Sequence, residues 1–115
     1  MNHQQLVEQL TKSGEEIIKE MTPEKAHAWH MATGACSEAG ELLDAVKKYV
    51  CYNKPLDREN VVEELGDIEF YLEGLRAKLL ITREEVLEYN IQKLLRRYPD
   101  ATYSNADAQA RKDKV

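Results

Sequence analysis

The chain has 115 residues, of which 43% are hydrophobic, and a formal net charge of −5. This length suits one domain over residues 1–115. An acidic chain without a dense basic run before its last residues argues against nucleic acid as the main partner. The N-terminus lacks an apolar signal core and no segment approaches membrane-spanning length, so we expect no membrane partner.

Cys36 and Cys51 would lie about 22 Å apart on one helix, too far for a disulfide. Free thiols favour a reducing compartment, and we therefore expect a cytoplasmic location.

Hydrophobic periodicity predicts a first helix from about residue 4 to 21, weakened by Gly14. Thr22-Pro23 then predicts a break and a new start, because threonine is a good N-cap and proline fits the first helical position. A long second helix is expected to run from Pro23 to about Tyr52, before the helix-ending residues 53–55.

Asp57 is a plausible N-cap for a third helix over residues 58–80. Thr82 and Glu85 form a capping-box pattern that opens a fourth helix, expected to end near Arg97. Residues 100–115 are polar and predict a loosely held tail. The expected fold class is all-α, an antiparallel four-helix arrangement resembling a bundle.

The second and third helices each combine an apolar seam with a neighbouring seam of small or ionisable residues. The apolar seams are Ala32, Ala35, Ala39, Leu42, Val46 and Val50, and then Val61, Leu65, Ile68, Leu72, Leu75 and Leu79. The neighbouring seams are His27, His30, Gly34, Glu38, Glu41, Ala45 and Lys48, and then Asn60, Glu64, Asp67, Tyr71, Gly74 and Lys78. This parallel predicts that the two ionisable seams face each other across a cleft. Such long apolar seams in a short chain favour burial in a dimer or tetramer.

Each ionisable seam contains two carboxylates at a spacing of three, Glu38 with Glu41 and Glu64 with Asp67. That spacing places side chains on one helix face, roughly 5–6 Å apart at Cβ. Acidic pairs of this kind are usually solvated faces, but two pairs at equivalent places favour a functional role. Four facing carboxylates would repel one another, and a hard divalent cation such as Mg²⁺ would relieve the repulsion.

The histidines leave a second metal chemistry open. Glu24 and His27 match the Glu-x-x-His pattern of di-iron bundles, which need two such motifs. One copy is present, and symmetry between chains would have to supply the other, so this is a minor alternative. His30 shares a face with His27, and isolated helical histidines are more often structural or exposed.

Two further groups of residues, the aromatic residues and the cations near the end of the fourth helix, each allow a functional and a structural interpretation. Trp29 and Tyr71 suit either base stacking or a core. Lys93, Arg96 and Arg97 suit either phosphate binding or the C-terminal end of a helix dipole.

Four segments, in this order, resemble the MazG-type nucleotide pyrophosphohydrolases of the all-α nucleoside triphosphate pyrophosphatase superfamily. They are residues 30–48 (HMATGACSEAGELLDAVKK), 54–57 (KPLD), 63–71 (EELGDIEFY) and 90–100 (NIQKLLRRYPD). The resemblance covers about residues 26–111. It implies a MazG-type fold that is completed by oligomerisation.

The resemblance also implies roles for particular residues. The catalytic and Mg²⁺-binding carboxylates would be Glu38, Glu41, Glu64 and Asp67, and we expect Mn²⁺ to substitute for Mg²⁺. The substrate-binding residues would be His30, Lys54, Tyr71, Asn90, Lys93 and Arg97. Relatives often carry another glutamate before the first metal ligand, whereas this chain has Ser37.

The implied activity is Mg²⁺-dependent hydrolysis of a nucleoside triphosphate between its α and β phosphates, giving a monophosphate and pyrophosphate. Such an enzyme would serve nucleotide-pool control or house-cleaning, as a homodimer or homotetramer. The alternatives are a pyrophosphatase for another nucleotide, such as phosphoribosyl-ATP, or a catalytically silent nucleotide- or metal-binding bundle. The intact set of four carboxylates favours an enzyme.

Overall fold

The structure, a computed structural model, describes residues 1–114, and every regular element in that range is a helix. The helices are α1 (His3–Leu10), α2 (Gly14–Glu20), α3 (Pro23–Cys51), α4 (Arg58–Leu79), α5 (Arg83–Arg97) and α6 (Asn105–Ala110). A short 3-10 helix follows at Lys112–Lys114. The predicted all-α class is confirmed.

The predicted first helix is wrong, because residues 4–21 form two short helices instead of one. Thr11 adopts an extended conformation and ends α1. The Ser13 hydroxyl then accepts a hydrogen bond from the backbone N–H of Glu16 and starts α2. Gly14, which would weaken the middle of a helix, is here the first residue of α2, where its cost is small.

The other helix starts follow the capping residues that the sequence indicated. The side chains of Thr22, Asp57 and Thr82 accept hydrogen bonds from the backbone N–H groups of Lys25, Asn60 and Glu85. Each satisfies one of the free N–H groups at a helix start. The predicted bounds of α3, α4 and α5 are therefore confirmed to within a residue or two.

Helices α3 and α4 form the central antiparallel pair. His27 Nε2 donates to the carbonyl oxygen of Gly74 at 3.0 Å. The Tyr71 ring lies against Gly34, and the Met31 side chain lies against Gly74. A Cβ atom at Gly34 would overlap the Tyr71 ring, so this position needs glycine for the helices to approach this closely, whereas at Gly74 the flexible Met31 side chain could move aside.

The face of α3 that packs on α4 is not the predicted apolar seam. Ala45, placed by the sequence in the ionisable seam, is 5% exposed, whereas Ala39, Val46 and Val50 are exposed. The apolar seam of α3 stays uncovered because α5 packs on the C-terminal segment and makes no comparable contact with α3 or α4. The expected core on that face is therefore absent from the described part of the single chain.

The C-terminal segment up to Lys114 is ordered, so the prediction of a loosely held tail is wrong for these residues. Ser104 caps α6 by accepting from the backbone N–H of Asp107. The segment packs on α5, where Asp113 pairs with Arg97. Residue 115 of the predicted tail lies outside the described residues.

The chain is much more open than a compact domain of its size. Its accessible surface is 9554 Å², against roughly 6,500 Å² expected for a compact chain of this mass. Its radius of gyration is 19.6 Å, against about 13 Å expected for its length. Among the described residues, no helix has both the length and the apolar character to cross a membrane.

Candidate metal centre

Three of the four predicted carboxylates meet between α3 and α4. Glu38, Glu64 and Asp67 each place a carboxylate oxygen so that all three atoms lie within 4.8 Å of one another. All three residues are half-buried. Glu38 comes from α3, and α4 supplies Glu64 and Asp67 one helical turn apart, so the cluster depends on the close approach of the two helices.

Glu64 bears the largest electrostatic cost of this arrangement. Its Oε2 atom is buried and has no hydrogen-bond partner. The pKa of Glu64 rises from 4.5 to about 7, chiefly because the protonated carboxyl can donate a hydrogen bond to Glu38. Partial burial and repulsion from Glu38, Asp67 and Glu41 raise the pKa further. A proton or a cation therefore relieves the conflict at Glu64.

These donors suit a hard divalent cation. The carboxylates converge from two helices, and one buried oxygen lacks any partner in the described chain. Mg²⁺ prefers oxygen ligands and keeps several waters, so a few carboxylates from one side are an adequate set. The residues present therefore fit the ion that the sequence resemblance implies.

Glu41 stands apart from the other three carboxylates. It is exposed and does not belong to the group whose oxygens lie within 4.8 Å of one another. Its charge nevertheless contributes to the raised pKa of Glu64, which places it at the margin of the cluster. Lys48, on the same helix, pairs with Asp44 at 3.2 Å and does not neutralise the cluster.

Two predicted substrate-binding residues, Tyr71 and His30, lie near each other on α4 and α3, about one turn from Asp67 and about two turns from Glu38 respectively. Tyr71 follows Asp67 by one turn of α4, and its ring centroid lies 6.2 Å from that of His30, edge to face. Phe70 makes a second edge contact with Tyr71, at 5.2 Å. Trp29, the other candidate for base stacking, is 63% exposed and belongs to no core in the described chain.

The predicted phosphate-binding residues of α5 are not brought to the carboxylates within one chain. Asn90, Lys93 and Arg97 lie on a helix that packs mainly on the C-terminal segment. Over residues 1–114, no ion pair joins Lys93 or Arg97 to the four predicted metal ligands. Lys54 lies exposed in the connection after α3, where its backbone N–H donates to the carbonyl of Lys48.

Arg97 is instead engaged by Asp113, a residue that the sequence did not single out. Its Nε and Nη2 atoms donate to the two oxygens of Asp113 at 2.8 and 3.2 Å. The Asp113 side chain is fully buried, and the Arg97 guanidinium holds the pKa of that carboxyl below its usual value. The charge of Lys93 lowers the pKa further, so both cations lie near this carboxylate.

No local signal could have identified Asp113. It stands in a polar stretch with Lys112 and Lys114, sixteen residues after its partner, and no helical spacing links the two. The hydrogen bond from His27 to Gly74 was likewise missed, because the sequence placed Gly74 only in a seam of small or ionisable residues that lines a cleft.

Comparison with known proteins places this geometry in a family. The profile of the MazG nucleotide pyrophosphohydrolase domain matches residues 28–102, which include the three converging carboxylates, Tyr71 and all of α5. No curated protein matches the chain significantly. No solved structure matches it significantly.

Proposed function

Because the chain belongs to the MazG nucleotide pyrophosphohydrolase family, we propose that it hydrolyses a nucleoside triphosphate between the α and β phosphates in a Mg²⁺-dependent reaction. The products are a nucleoside monophosphate and pyrophosphate. One observation carries the proposal: Glu38, Glu64 and Asp67 converge, and a buried Glu64 oxygen lacks a partner. Such an arrangement destabilises the fold unless a cation occupies it.

In the proposed mechanism, Glu38, Glu64 and Asp67 hold the ion through their carboxylate oxygens. When bound there, Mg²⁺ would supply positive charge for the phosphate oxygens and would favour deprotonation of the attacking water. Glu41, at the margin of the cluster, is proposed to orient the attacking water and accept its proton. The water oxygen forms a bond to the α-phosphorus. The bond between that phosphorus and the oxygen bridging to the β-phosphorus breaks, and pyrophosphate leaves.

The remaining proposed contacts position the nucleotide. Tyr71 and His30, whose ring centroids lie 6.2 Å apart, provide a surface for the base or sugar. Lys93 and Arg97 neutralise the charge that develops on the leaving pyrophosphate. Such contacts supply orientation and electrostatic stabilisation, which account for most of the catalysis in phosphoryl transfer.

Because α5 packs away from the carboxylates in its own chain, we propose that its cations act on the site of another copy. The active species is then a homodimer or homotetramer in the cytoplasm. The accessible surface of 9554 Å² supports this assembly, since it exceeds that of a compact chain by roughly 3,000 Å². A standard stable interface needs only about 800 Å² from each partner.

The test of the proposed reaction is a panel of nucleoside triphosphates and phosphoribosyl-ATP, incubated with protein and Mg²⁺ and followed by phosphorus NMR. We expect pyrophosphate and a monophosphate as the only initial products. An Asp67→Asn variant, purified in the same way, is the control for contaminating phosphatases and should be inactive. Release of orthophosphate and a diphosphate by the original protein alone would contradict the proposed bond, and no turnover of any nucleotide would contradict the proposed activity.

A further inference from the structure

The C-terminal part of the chain gathers positive charge on an otherwise acidic protein. Residues 93–114 contain six lysines and arginines and three aspartates, whereas the whole chain has a net charge of −5. Lys93 and Arg97 lie one turn apart on α5 and share a face of that helix. Both are half-buried, whereas Arg96 between them is exposed. Two neighbouring cations with restricted side chains suit a polyanion such as pyrophosphate.

Asp113 binds only one edge of the Arg97 guanidinium. The Nε and Nη2 atoms of Arg97 donate to the two carboxylate oxygens, at 2.8 and 3.2 Å. A guanidinium has five N–H donors in one plane, and this contact uses one edge of that plane. The end formed by Nη1 and the outer N–H of Nη2 remains for a second bidentate acceptor, and phosphate oxygens match its geometry. Within residues 1–114, Arg97 forms no other ion pair.

Burial determines the side from which an anion reaches Arg97. The Asp113 side chain is fully buried, whereas 20% of the Arg97 side chain is exposed. Solvent therefore reaches the guanidinium and does not reach the carboxylate. An anion that arrives from solvent meets the guanidinium first, while the carboxylate behind it holds the plane in place.

The balance of charge leaves this group of side chains positive. Arg97 lowers the pKa of the Asp113 carboxyl, and the charge of Lys93 lowers it further, so one carboxylate lies near two cations. Lys93 itself forms no ion pair in the described chain. Asp113 therefore orients positive charge without cancelling all of it. Because the Arg97 side chain is ordered when the protein folds, less of its conformational entropy is lost when an anion binds.

We propose that Asp113 is a positioning residue, which holds the Arg97 guanidinium so that its free end binds the leaving pyrophosphate beside Lys93. The C-terminal segment is then part of the substrate-binding apparatus, although none of its residues contacts the substrate. This inference rests on the proposed function, since it takes Arg97 as a phosphate ligand. It does not depend on which copy of the chain supplies the carboxylates, because Asp113 and Arg97 pair within one chain.

Calorimetric titration with inorganic pyrophosphate in the presence of Mg²⁺ tests this role without turnover. Asp113→Asn removes a negative charge, so charge alone would make pyrophosphate bind more tightly. Positioning predicts the opposite, a loss of roughly tenfold in affinity, because the guanidinium is no longer held in one plane. Tighter binding by the variant would overturn the proposal, since it would mean that Asp113 competes with pyrophosphate for Arg97.

Asp107→Asn is the matched control. It removes one carboxylate from the same segment, where Asp107 pairs with Lys112 at 3.6 Å and not with Arg97. The change in net charge is the same as in Asp113→Asn. Because the contact between Asp107 and Lys112 is long and partly exposed, pyrophosphate affinity should stay within about twofold of the original. Equal losses in the two variants would contradict a specific role for Asp113.

A double-mutant cycle separates positioning from simple support of the segment. When Arg97→Ala is already present, Asp113→Asn should cause no further loss of pyrophosphate affinity or of kcat/KM, because Asp113 acts through Arg97. A further loss of the same size would show a structural role and overturn the proposal.

Arg97→Lys tests whether the planar fork matters, and it stays informative if Asp113→Asn does not fold. Lysine keeps the charge and an ion pair with Asp113 but has no planar fork, so pyrophosphate affinity should fall about as much as in Asp113→Asn. Full affinity in Arg97→Lys would overturn the proposal, because charge alone would then be sufficient.

The positioning role and the proposed reaction can fail separately. If the original protein releases pyrophosphate in the phosphorus NMR assay while Asp113→Asn binds pyrophosphate as tightly as the original, the positioning role is wrong and the reaction stands. If no nucleotide is turned over, the proposed reaction is wrong, and the pyrophosphate titrations still decide the role of Asp113.

Discussion

Replacing Gly34 by alanine should destabilise the fold, although alanine is the better helix former. The Tyr71 ring lies directly on Gly34, and its edges are flanked by His30 and Phe70. An added methyl group would have to displace the ring or separate α3 from α4. The same crossing holds Glu38 against Glu64, so the substitution also disturbs the candidate metal centre.

The size of the effect follows from two opposing contributions. Even the third-nearest ring atom, Tyr71 Cζ, would lie 2.5 Å from the new Cβ, about 1 Å inside ordinary carbon–carbon contact. Overpacking of this kind costs about 2–3 kcal/mol, the upper part of the usual range, because the obstacle is a flanked ring. Alanine in a helix interior recovers about 1 kcal/mol. The net loss in the free energy of unfolding should be about 1–2 kcal/mol.

Urea unfolding followed by far-UV circular dichroism, with chelator present, measures this loss. Gly66→Ala is the matched control, because a Cβ at Gly66 meets no atom within 4 Å. It should stabilise the protein by about 1 kcal/mol. Helix propensity cancels between the two variants, so their difference of about 2–3 kcal/mol isolates the contact with Tyr71.

A smaller residue at position 71 tests the cause. Combined with Tyr71→Val, the Gly34→Ala substitution should lose most of its cost, giving a coupling energy that a double-mutant cycle detects. Equal stabilities for Gly34→Ala and Gly66→Ala would refute the reasoning. So would an unchanged cost of Gly34→Ala in the presence of Tyr71→Val, because both results would mean that the ring does not lie on the glycine.

Three further predictions concern charge. Without metal, the free energy of unfolding should fall as the pH rises from about 4.5 to 7, because the folded state binds the Glu64 proton more tightly than the unfolded chain does. Urea titrations at several pH values should show that Glu64→Gln flattens this dependence. An unchanged dependence in the variant would contradict the prediction. Asp113→Asn should speed amide exchange across residues 104–114, and unchanged exchange would mean that the ion pair with Arg97 does not hold the segment. Lys93→Ala should lower kcat/KM roughly 10²-fold, whereas calorimetry should show that Mg²⁺ binding is retained. Arg96→Ala is the control, because Arg96 is exposed on the same helix. Equal effects of the two substitutions would exclude a specific role for Lys93.

Local features of the fold were predictable from the sequence because their causes are local. Thr22, Asp57 and Thr82 each cap a helix through a contact three residues away, so the starts of α3, α4 and α5 followed from short patterns. The break after Leu10 was missed because its cause, the cap formed by Ser13, competes with a continuous apolar stripe across the same residues.

The choice of packing face on α3 was not predictable in this way. Both of its faces contain small residues, and the sequence does not state which helix is available to cover which face. Gly34 was read as lining a cleft, whereas it permits close helix approach. The polar content of the last residues hid the role of Asp113, since its partner Arg97 lies on another element.

The candidate site was predictable to the extent that helical spacing determines it. Glu38, Glu64 and Asp67 follow from their positions on two facing helices, and the structure brings their oxygens together. Glu41 is three residues from Glu38, and that step rotates it about 60° away from the shared direction. Glu64 and Asp67 are separated by the same step and both join the cluster, so spacing alone does not decide that Glu41 lies exposed at its margin. The roles of all four in catalysis stay predictions.

Two cations on the helices of the cluster are paired with other carboxylates, which supports the proposal that a bound ion supplies the counter-charge at this site. Lys48 pairs with Asp44. Arg76, farther along α4, is 12% exposed and pairs with Glu73 at 2.9 Å and Glu69 at 3.5 Å. Neither relieves Glu64, although both lie on the helices that form the cluster. The glycine contacts meanwhile hold the two helices close and so keep the carboxylates together. A fold selected for stability alone would place one of these cations at the cluster, so the arrangement is the one expected if the proposed divalent ion occupies that place.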